Sequence, residues 1–228
     1  MGCCIVAGGK PDMTAPVAGI LLSSIAEGSI VKLNENGSPV EFYVAKHDYE
    51  PTLNGTGRTL LARKNTTDEF SGVPFNSNGT NAYANGDMDE WFNGTYKQKF
   101  DYAVQSAMGK TTFYYTPGAG NTSVTTLDRS IFAPSLAELG RVAPYGGWNA
   151  EGEKLPISDA LLTIKHSQWT RTPPHYTGTD YDTKAYMTMS DKNLAQAYTA
   201  ANYYLRPMFT LPSNALFHKT TMLFMGVA

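Results

Sequence analysis

The densest group of reactive side chains in the sequence is a run of three carboxylates within four residues, Asp87, Asp89 and Glu90. Carboxylates at this density resemble calcium ligands, but a calcium loop alternates its ligands and carries a glycine at its sharp turn, and this run has neither feature. Acidic residues also stabilise the first turn of a helix, where they face the positive end of the helix dipole. The run therefore predicts the start of a helix and no metal site.

Other catalytic signals are weak. The sequence has no HExxH, GxSxG, P-loop or strand-linked GxGxxG motif. Gly118 and Gly120 could cradle an anion, although two glycines in a loop more often form a turn. Each histidine stands in an unrelated context and is interpreted as a surface or core residue: His47, His166, His175 and His218. The sequence thus predicts no catalytic residue, no metal ligand and no cofactor, and it favours a protein that is not an enzyme.

Cys3 and Cys4 are the two cysteines of the 228-residue sequence. Because they are adjacent and close to the N-terminus, disulfides cannot staple a fold of this size. Neighbouring cysteines rarely pair with each other, since the bridge strains the peptide between them. We expect two free thiols, with a metal or lipid role as the alternative. The first residues are similar to a myristoylation signal, except that Val6 stands where Ser or Thr is needed.

Charge and composition exclude several classes of protein. Eighteen basic and twenty acidic residues give a net charge of −2, so the basic surface of a nucleic-acid-binding protein is not expected. A hydrophobic content of 42% is too high for a disordered chain. The apolar run Ala15–Ala26 is too short to cross a bilayer, and no membrane span is predicted. Abundant Gly, Pro and Tyr are typical of a β-rich protein with long loops.

The elements that would position functional residues begin at Gly28. Residues 30–33 and 40–44 alternate as strands and are joined by Asn36-Gly37, which supplies the positive φ angles of a hairpin turn. Further strands are predicted at Arg58–Ala62, Thr111–Tyr115, Ile131–Phe132, Trp169, Ala185–Met189, Leu194–Tyr198 and Leu205–Leu211.

Two helical regions are predicted between these strands. Asp87 or Asp89 caps the first, which Gly94 should split into two short helices. Residues 135–138 form a capping box, and Gly140 is a natural stop, which predicts a very short second helix. The predicted fold is α+β, with small antiparallel sheets, two or three short helices and long loops. Residues 1–27 are predicted to form an N-terminal anchoring arm, and residues 28–228 the folded domain.

Two motifs late in the chain carry a resemblance to a known family. Residues 169–173 read Trp-Thr-Arg-Thr-Pro, and residues 205–208 read Leu-Arg-Pro-Met. Together with the earlier landmarks Trp91-Phe92-Asn93 and Ile131–Ser135, their order resembles a domain-of-unknown-function family of prophages and surface proteins of Gram-positive gut bacteria. Members of that family carry WLRSP-like and VRPA-like motifs. The resemblance covers roughly residues 28–217.

The family pattern is similar to the C-type-lectin-like group, which includes formylglycine-generating enzymes and phage receptor-binding domains. The resemblance therefore implies a C-type-lectin-like fold. The oxidation cysteines of those enzymes and the calcium signatures of sugar-binding lectins have no counterpart in this sequence. We expect five residues to order loops through stacking and forked hydrogen bonds: Trp91, Trp169, Arg171, Arg206 and Pro207.

The function that these observations favour is a bacteriophage virion structural protein, on the particle surface and associated with the tail or fibre. It would display its domain for host or surface attachment. Expected partners are other virion proteins, contacted through the arm, and a bacterial surface glycan or protein, with assembly as a homo-oligomer. The alternatives are a capsid decoration protein on the phage head, a carbohydrate-binding surface module, and a formylglycine-type enzyme, which would need a nucleophile that the sequence lacks.

Ligand binding is expected in the loops between His166 and Tyr204. This stretch combines tyrosines with Thr, Asn and Ser, a composition typical of recognition loops. Tyr186 and Tyr198 lie on predicted strands, where they could instead face the core. The predicted ligand-binding residues are Tyr176, Asp180, Tyr181 and Tyr203.

Overall fold

The computed structural model describes residues 19–67, 72–142, 150–174, 180 and 182–228. The α-helices are α1 (Pro51–Asn54), α2 (Asp87–Trp91), α3 (Tyr102–Ala107) and α4 (Ser158–Leu161). The strands are β1 (Gly19–Leu21), β2 (Ile30–Glu35), β3 (Ser38–His47), β4 (Arg58–Arg63), β5 (Val73–Pro74), β6 (Thr111–Tyr115), β7 (Thr125–Arg129), β8 (Gln168–Trp169), β9 (Lys184–Thr188), β10 (Leu194–Tyr198), β11 (Asn202–Tyr203), β12 (Met208–Pro212), β13 (Ala215–His218) and β14 (Phe224–Val227). The predicted α+β character is confirmed.

In the described ranges the strands pair into five small antiparallel sheets. The largest has the strand order β12-β4-β3-β2, two sheets of three strands have the orders β1-β13-β14 and β10-β9-β8, and β11-β5 and β6-β7 are pairs. The predicted β2–β3 hairpin is confirmed, with φ of 50° at Asn36 and 76° at Gly37. The predicted strands at Thr111–Tyr115, Ala185–Met189 and Leu194–Tyr198 are also present.

The helical region after Asp87 differs from the prediction. Gly94 does not split it, because α2 continues through a π-helical turn, Phe92–Tyr96, and a 3₁₀ turn, Lys97–Lys99. A glycine inside a helix costs only about 1 kcal/mol relative to alanine. The rings of Trp91 and Tyr96 stack with centroids 5.2 Å apart, which holds the irregular segment together. The break comes at Phe100, whose extended backbone precedes α3.

Two further predictions need correction near residue 135. The capping-box bonds form, since the Ser135 N–H donates to Glu138 Oε2 at 2.8 Å and the Glu138 N–H donates to Ser135 Oγ at 3.1 Å. They close a series of turns rather than a helix, and Gly140 ends it with φ of 66°. The predicted strand at Ile131–Phe132 is reduced to a single bridge from Phe132 to Met208. Pro134, two residues after Phe132, lacks the N–H that further pairing requires.

Aromatic side chains form much of the core. The rings of Phe42, Phe100 and Phe209 lie 5.4–6.0 Å apart, between the four-stranded sheet and the segment before α3.

The predicted strand Leu205–Leu211 begins only at Met208, because Arg206 and Pro207 occupy its first positions in a different role, described below.

Among the described residues, the folded core already includes residues that precede Gly28. Strand β1 pairs with β13, and Leu22 and Ile25 are buried in the main core. A shift in composition marks Gly28 in the sequence, but three-residue strands leave almost no periodic signal. Residues 1–18, with Cys3 and Cys4, lie outside the described residues, and the prediction of an anchoring arm there stays a prediction.

Candidate functional site

Arg171, from the first of the two late motifs, is the centre of a fully buried polar network. Its Nη1 lies 2.6 Å from Glu138 Oε2 and donates to the Ala133 carbonyl at 2.7 Å. Its Nε donates to the Tyr114 carbonyl at 3.0 Å, and its Nη2 donates to the Glu151 carbonyl at 3.2 Å. The guanidinium therefore joins its own segment to three others that are distant in sequence. A planar fork of donors is suited to this task, because it fixes several acceptors at once.

The two carboxylates of this network are also occupied by protein groups. Glu138 accepts the Tyr49 hydroxyl, and Glu151 accepts the Thr116 N–H at 2.8 Å and the Thr172 hydroxyl at 2.5 Å. Burial raises the pKa of Glu151 above its ordinary value, and the charge of Arg171 opposes that rise. A general acid or base must reach a substrate. Glu138 and Glu151 are both fully buried, so this network has the geometry of a structural cross-link.

Arg206, from the second late motif, is also fully buried, but its surroundings differ. Its Nε donates to Gln168 Oε1 at 2.9 Å, and its Nη1 donates to the carbonyls of Arg63 and Lys64, both at 2.5 Å. Its buried Nη2 has no hydrogen-bond partner. Burial lowers the pKa of Arg206 to about 10, and the nearby charge of Arg63 contributes to that shift. Arg206 thus fixes the backbone at the end of β4, while its Nη2 has no hydrogen-bond partner among the described residues.

Arg206 lines a cleft of about 270 Å³ between two loop segments. One wall is Asn65 and Thr66, which follow β4, and the other is residues 163–166, between α4 and β8. The His166 ring stacks on Tyr204 at 4.3 Å with an angle of 12° between the rings. His166, the first residue of the stretch in which ligand binding is predicted, therefore lines this Arg206 cleft, and Tyr204, the last, stacks on it.

The first wall of the Arg206 cleft is held in place from behind by Arg63. Its Nη1 donates to the carbonyls of Asn65 at 3.0 Å and Thr66 at 2.6 Å, and its Nε lies 3.1 Å from Glu35 Oε1. Glu35 in turn accepts the Tyr96 hydroxyl. The wall is thus fixed before any ligand arrives, which lowers the entropic cost of binding.

The structure describes two of the four predicted ligand-binding residues. Tyr176 and Tyr181 lie outside the described residues. Asp180 is exposed, and its carbonyl accepts the Thr183 hydroxyl at 3.1 Å. Tyr203 is half-buried in β11, and its ring packs edge-on against Trp169 at 4.9 Å.

Two other tyrosines of the same stretch point in opposite ways. Tyr186 is buried, as a residue facing a sheet core would be, whereas Tyr198 is 62% exposed beneath the Lys184 ammonium. Alternation along a strand predicts that successive side chains point to opposite faces of the sheet. It does not predict which face is buried.

The remaining motif residues lie in two places. Trp169 is buried against Phe75, and the Pro207 carbonyl accepts the Arg63 N–H at 3.0 Å. Trp91 lies elsewhere, half-buried against Tyr96. Arg206 and Trp169 come together because Gln168, which accepts from Arg206, precedes Trp169 in β8.

Sequence reasoning missed two groups of residues. Tyr49 and Glu151 carry no motif, and only the tertiary fold brings them to Arg171. Lys165 lines the Arg206 cleft. Its one sequence signal is that it stands beside His166 in a chain with only 17% charged residues.

Neither metal-binding clusters nor membrane helices are found in the part of the chain that the structure describes. No group of three or more His, Cys, Asp or Glu residues is placed there to hold a metal ion. Among the same residues, no helix is long and apolar enough to cross a membrane.

Comparison with known proteins gives one match. No curated protein and no solved structure matches the chain significantly. A family model described as a domain of unknown function, DUF6273, matches residues 56–213. The match begins just before β4, ends just after β12, and so includes Arg171, Arg206 and both walls of the Arg206 cleft. Because it covers most of the sequence, the chain belongs to the DUF6273 family of domains of unknown function.

Proposed function

We propose that this chain is a non-catalytic attachment protein of a bacteriophage particle. Its C-type-lectin-like domain, associated with the tail or a fibre, binds a glycan or protein on the host surface. Residues 1–18 connect the domain to other virion proteins, and several copies assemble together.

The observation that carries the proposal is the use of the two motif arginines. Arg171 donates to backbone carbonyls of three separate loops or strands, and Arg206 donates to the carbonyls of Arg63, the last residue of β4, and of Lys64 after it. Both side chains are buried, and both hold the backbone of these segments in place. Long loops held by a rigid scaffold are the common arrangement of binding domains.

The position of β1 supports display on an assembly. Among the described residues, β1 is an edge strand of the sheet β1-β13-β14. Leu21 of β1 is exposed, and so are Met225 and Val227 of the other edge strand, β14. An exposed apolar edge of this kind is suited to contact with neighbouring subunits.

Two measurements test this proposal. Mass spectrometry of phage particles purified from the source strain should detect the chain at a fixed copy number per particle. Purified full-length chain, added to host cells before the phage, should reduce adsorption, whereas heat-unfolded chain should not. Antibody-gold labelling confined to heads would assign the chain as a capsid decoration protein instead. Absence of the chain from purified particles would refute a virion role.

A further inference from the structure

The charge on Arg206 has no counter-charge among the described residues. The structure buries three arginines in those ranges: Arg63, Arg171 and Arg206. Arg63 is paired with Glu35, and Arg171 is paired with Glu138. Arg206 contacts only a side-chain amide and two backbone carbonyls, and no carboxylate of the described residues lies within salt-bridge distance of it. Buried charges are normally paired, because an uncompensated charge is costly away from water.

The hydrogen-bonding inventory of Arg206 leaves one group unused. Its buried Nη2 carries two N–H donors and has no partner among the described residues. Unsatisfied buried donors are rare in native proteins, and each needs an explanation such as an ordered water or a bound ion. Burial also lowers the pKa of Arg206 to about 10, although the nearby Tyr43 partly opposes that shift.

The cleft beside Arg206 has the composition that an anion requires. Lys165 adds a second cation and His166 adds a ring N–H, while no acidic residue of the described ranges lines the cleft. A larger groove along β2 and β3 offers a contrast, because the Glu41 that lines it pairs with Lys64 at 2.7 Å. The Arg206 cleft is therefore the better candidate for a ligand that only accepts hydrogen bonds.

We propose that the Arg206 cleft binds a small oxyanion, a carboxylate or a phosphate, in which oxygen atoms meet Arg206, Lys165 and His166. The cleft volume of about 270 Å³ suits one such group with a single sugar-sized unit behind it. Arginine is the residue best matched to both anions, because its fork of donors fits their paired oxygens. This inference names the chemistry of the ligand for the proposed attachment function and depends on that function only for the source of the ligand.

Binding is tested on the purified full-length chain by calorimetry and thermal unfolding. The probes are inorganic phosphate and glucuronate, with sodium chloride at matched ionic strength as the control. We expect saturable binding of at least one probe and a melting temperature that rises by about 5–10 °C at 100-fold excess over Kd. A stronger effect of phosphate would indicate that the ligand is a phosphorylated surface polymer. A stronger effect of glucuronate would indicate that it is an acidic glycan. No saturable binding of either probe would overturn the inference.

Variants locate the site. Arg206→Lys removes the fork, but it also frees two carbonyls and could unfold the chain. Lys165→Gln therefore carries the test, because Lys165 is exposed and its replacement should not change the unliganded melting temperature. We expect it to weaken probe binding about three- to tenfold. The matched control Lys110→Gln removes the same charge from an exposed residue that does not line the cleft, and it should bind normally. Equal binding by both variants would overturn the assignment of the cleft.

The outcome is separable from that of the attachment proposal. Loss of oxyanion binding in Lys165→Gln, together with an absence of the chain from phage particles, would support the cleft and refute the virion role. If instead the wild-type chain bound no oxyanion and Lys165→Gln still competed for phage adsorption, the attachment role would be supported and the oxyanion site refuted.

Discussion

The most decisive prediction concerns Glu138, the carboxylate that pairs with the buried Arg171. In Glu138→Ala the guanidinium loses its counter-charge, and the Tyr49 hydroxyl and the Ser135 N–H lose their acceptor. Removing one partner of a buried ion pair costs about 3–5 kcal/mol. For a chain of this size each kcal/mol lowers the melting temperature by roughly 2–4 °C. The expected decrease is therefore about 6–20 °C, a large part of the stability of an ordinary domain.

A second substitution at the same position separates charge from hydrogen bonding. In Glu138→Gln, the amide oxygen can face Arg171 and Ser135, while the amide NH₂ donates to the Tyr49 hydroxyl. The contact with Tyr49 then survives with its donor and acceptor exchanged, and the charge and the acceptor of the Tyr49 O–H are lost, so we expect a cost of about 1.5–3 kcal/mol, the value of a hydrogen bond to a charged group. Glu153→Ala is the matched control. It breaks the Lys46–Glu153 pair, in which Glu153 is 80% exposed, and should cost at most about 1 kcal/mol.

Urea unfolding at pH 7, followed by tryptophan fluorescence, measures all three variants, with equal m-values as the check on two-state behaviour. The expected order of destabilisation is Glu138→Ala, then Glu138→Gln, then Glu153→Ala. If Glu138→Ala were no less stable than Glu153→Ala, the network around Arg171 would not stabilise the fold, and the argument that the motif arginines hold the loops would be refuted.

Three further predictions follow from the structure and the sequence. Deletion of residues 1–18 should leave the melting temperature nearly unchanged and abolish incorporation into particles. Deletion of residues 1–25 should destabilise the domain, because it removes β1 and two core side chains. Equal melting temperatures for both deletions would show that β1 adds nothing to stability. The pKa of Glu151 is raised above its ordinary 4.5 in the folded state, so its contribution to stability is present below pH 4.5 and is lost as the pH rises through the folded-state pKa. The free energy of unfolding of the wild type minus that of Glu151→Gln, from urea curves at pH 4 to 7, should therefore fall with rising pH, and a rise would contradict the assignment. Replacing Tyr176 and Tyr181 by Ala should lower binding to host cells with little change in melting temperature, and a large loss of stability would place both rings in the core.

Local elements were largely predictable because their signals are local. Asn36-Gly37 demands positive φ angles, and the alternation on either side of it sets the hairpin register. The errors also have physical causes. Gly94 is a weak helix breaker, and aromatic packing between Trp91 and Tyr96 outweighs it. The capping box at Ser135 formed its reciprocal bonds without a helix, since Glu138 is also held by Arg171 from another part of the chain.

The sequence by itself determined the α+β composition, the strand pairs closed by short turns, the lack of a recognisable catalytic motif and the importance of the two late arginine motifs. Each of these depends on residues that are close together in the chain. Only the tertiary structure decided that the two arginines differ. Arg171 lies 33 residues from Glu138 and meets it through folding, whereas Arg206 meets amide and carbonyl oxygens and no carboxylate of the described residues. A sequence pattern specifies which side chain is present, but the three-dimensional path of distant segments determines which of these charges is paired with a carboxylate.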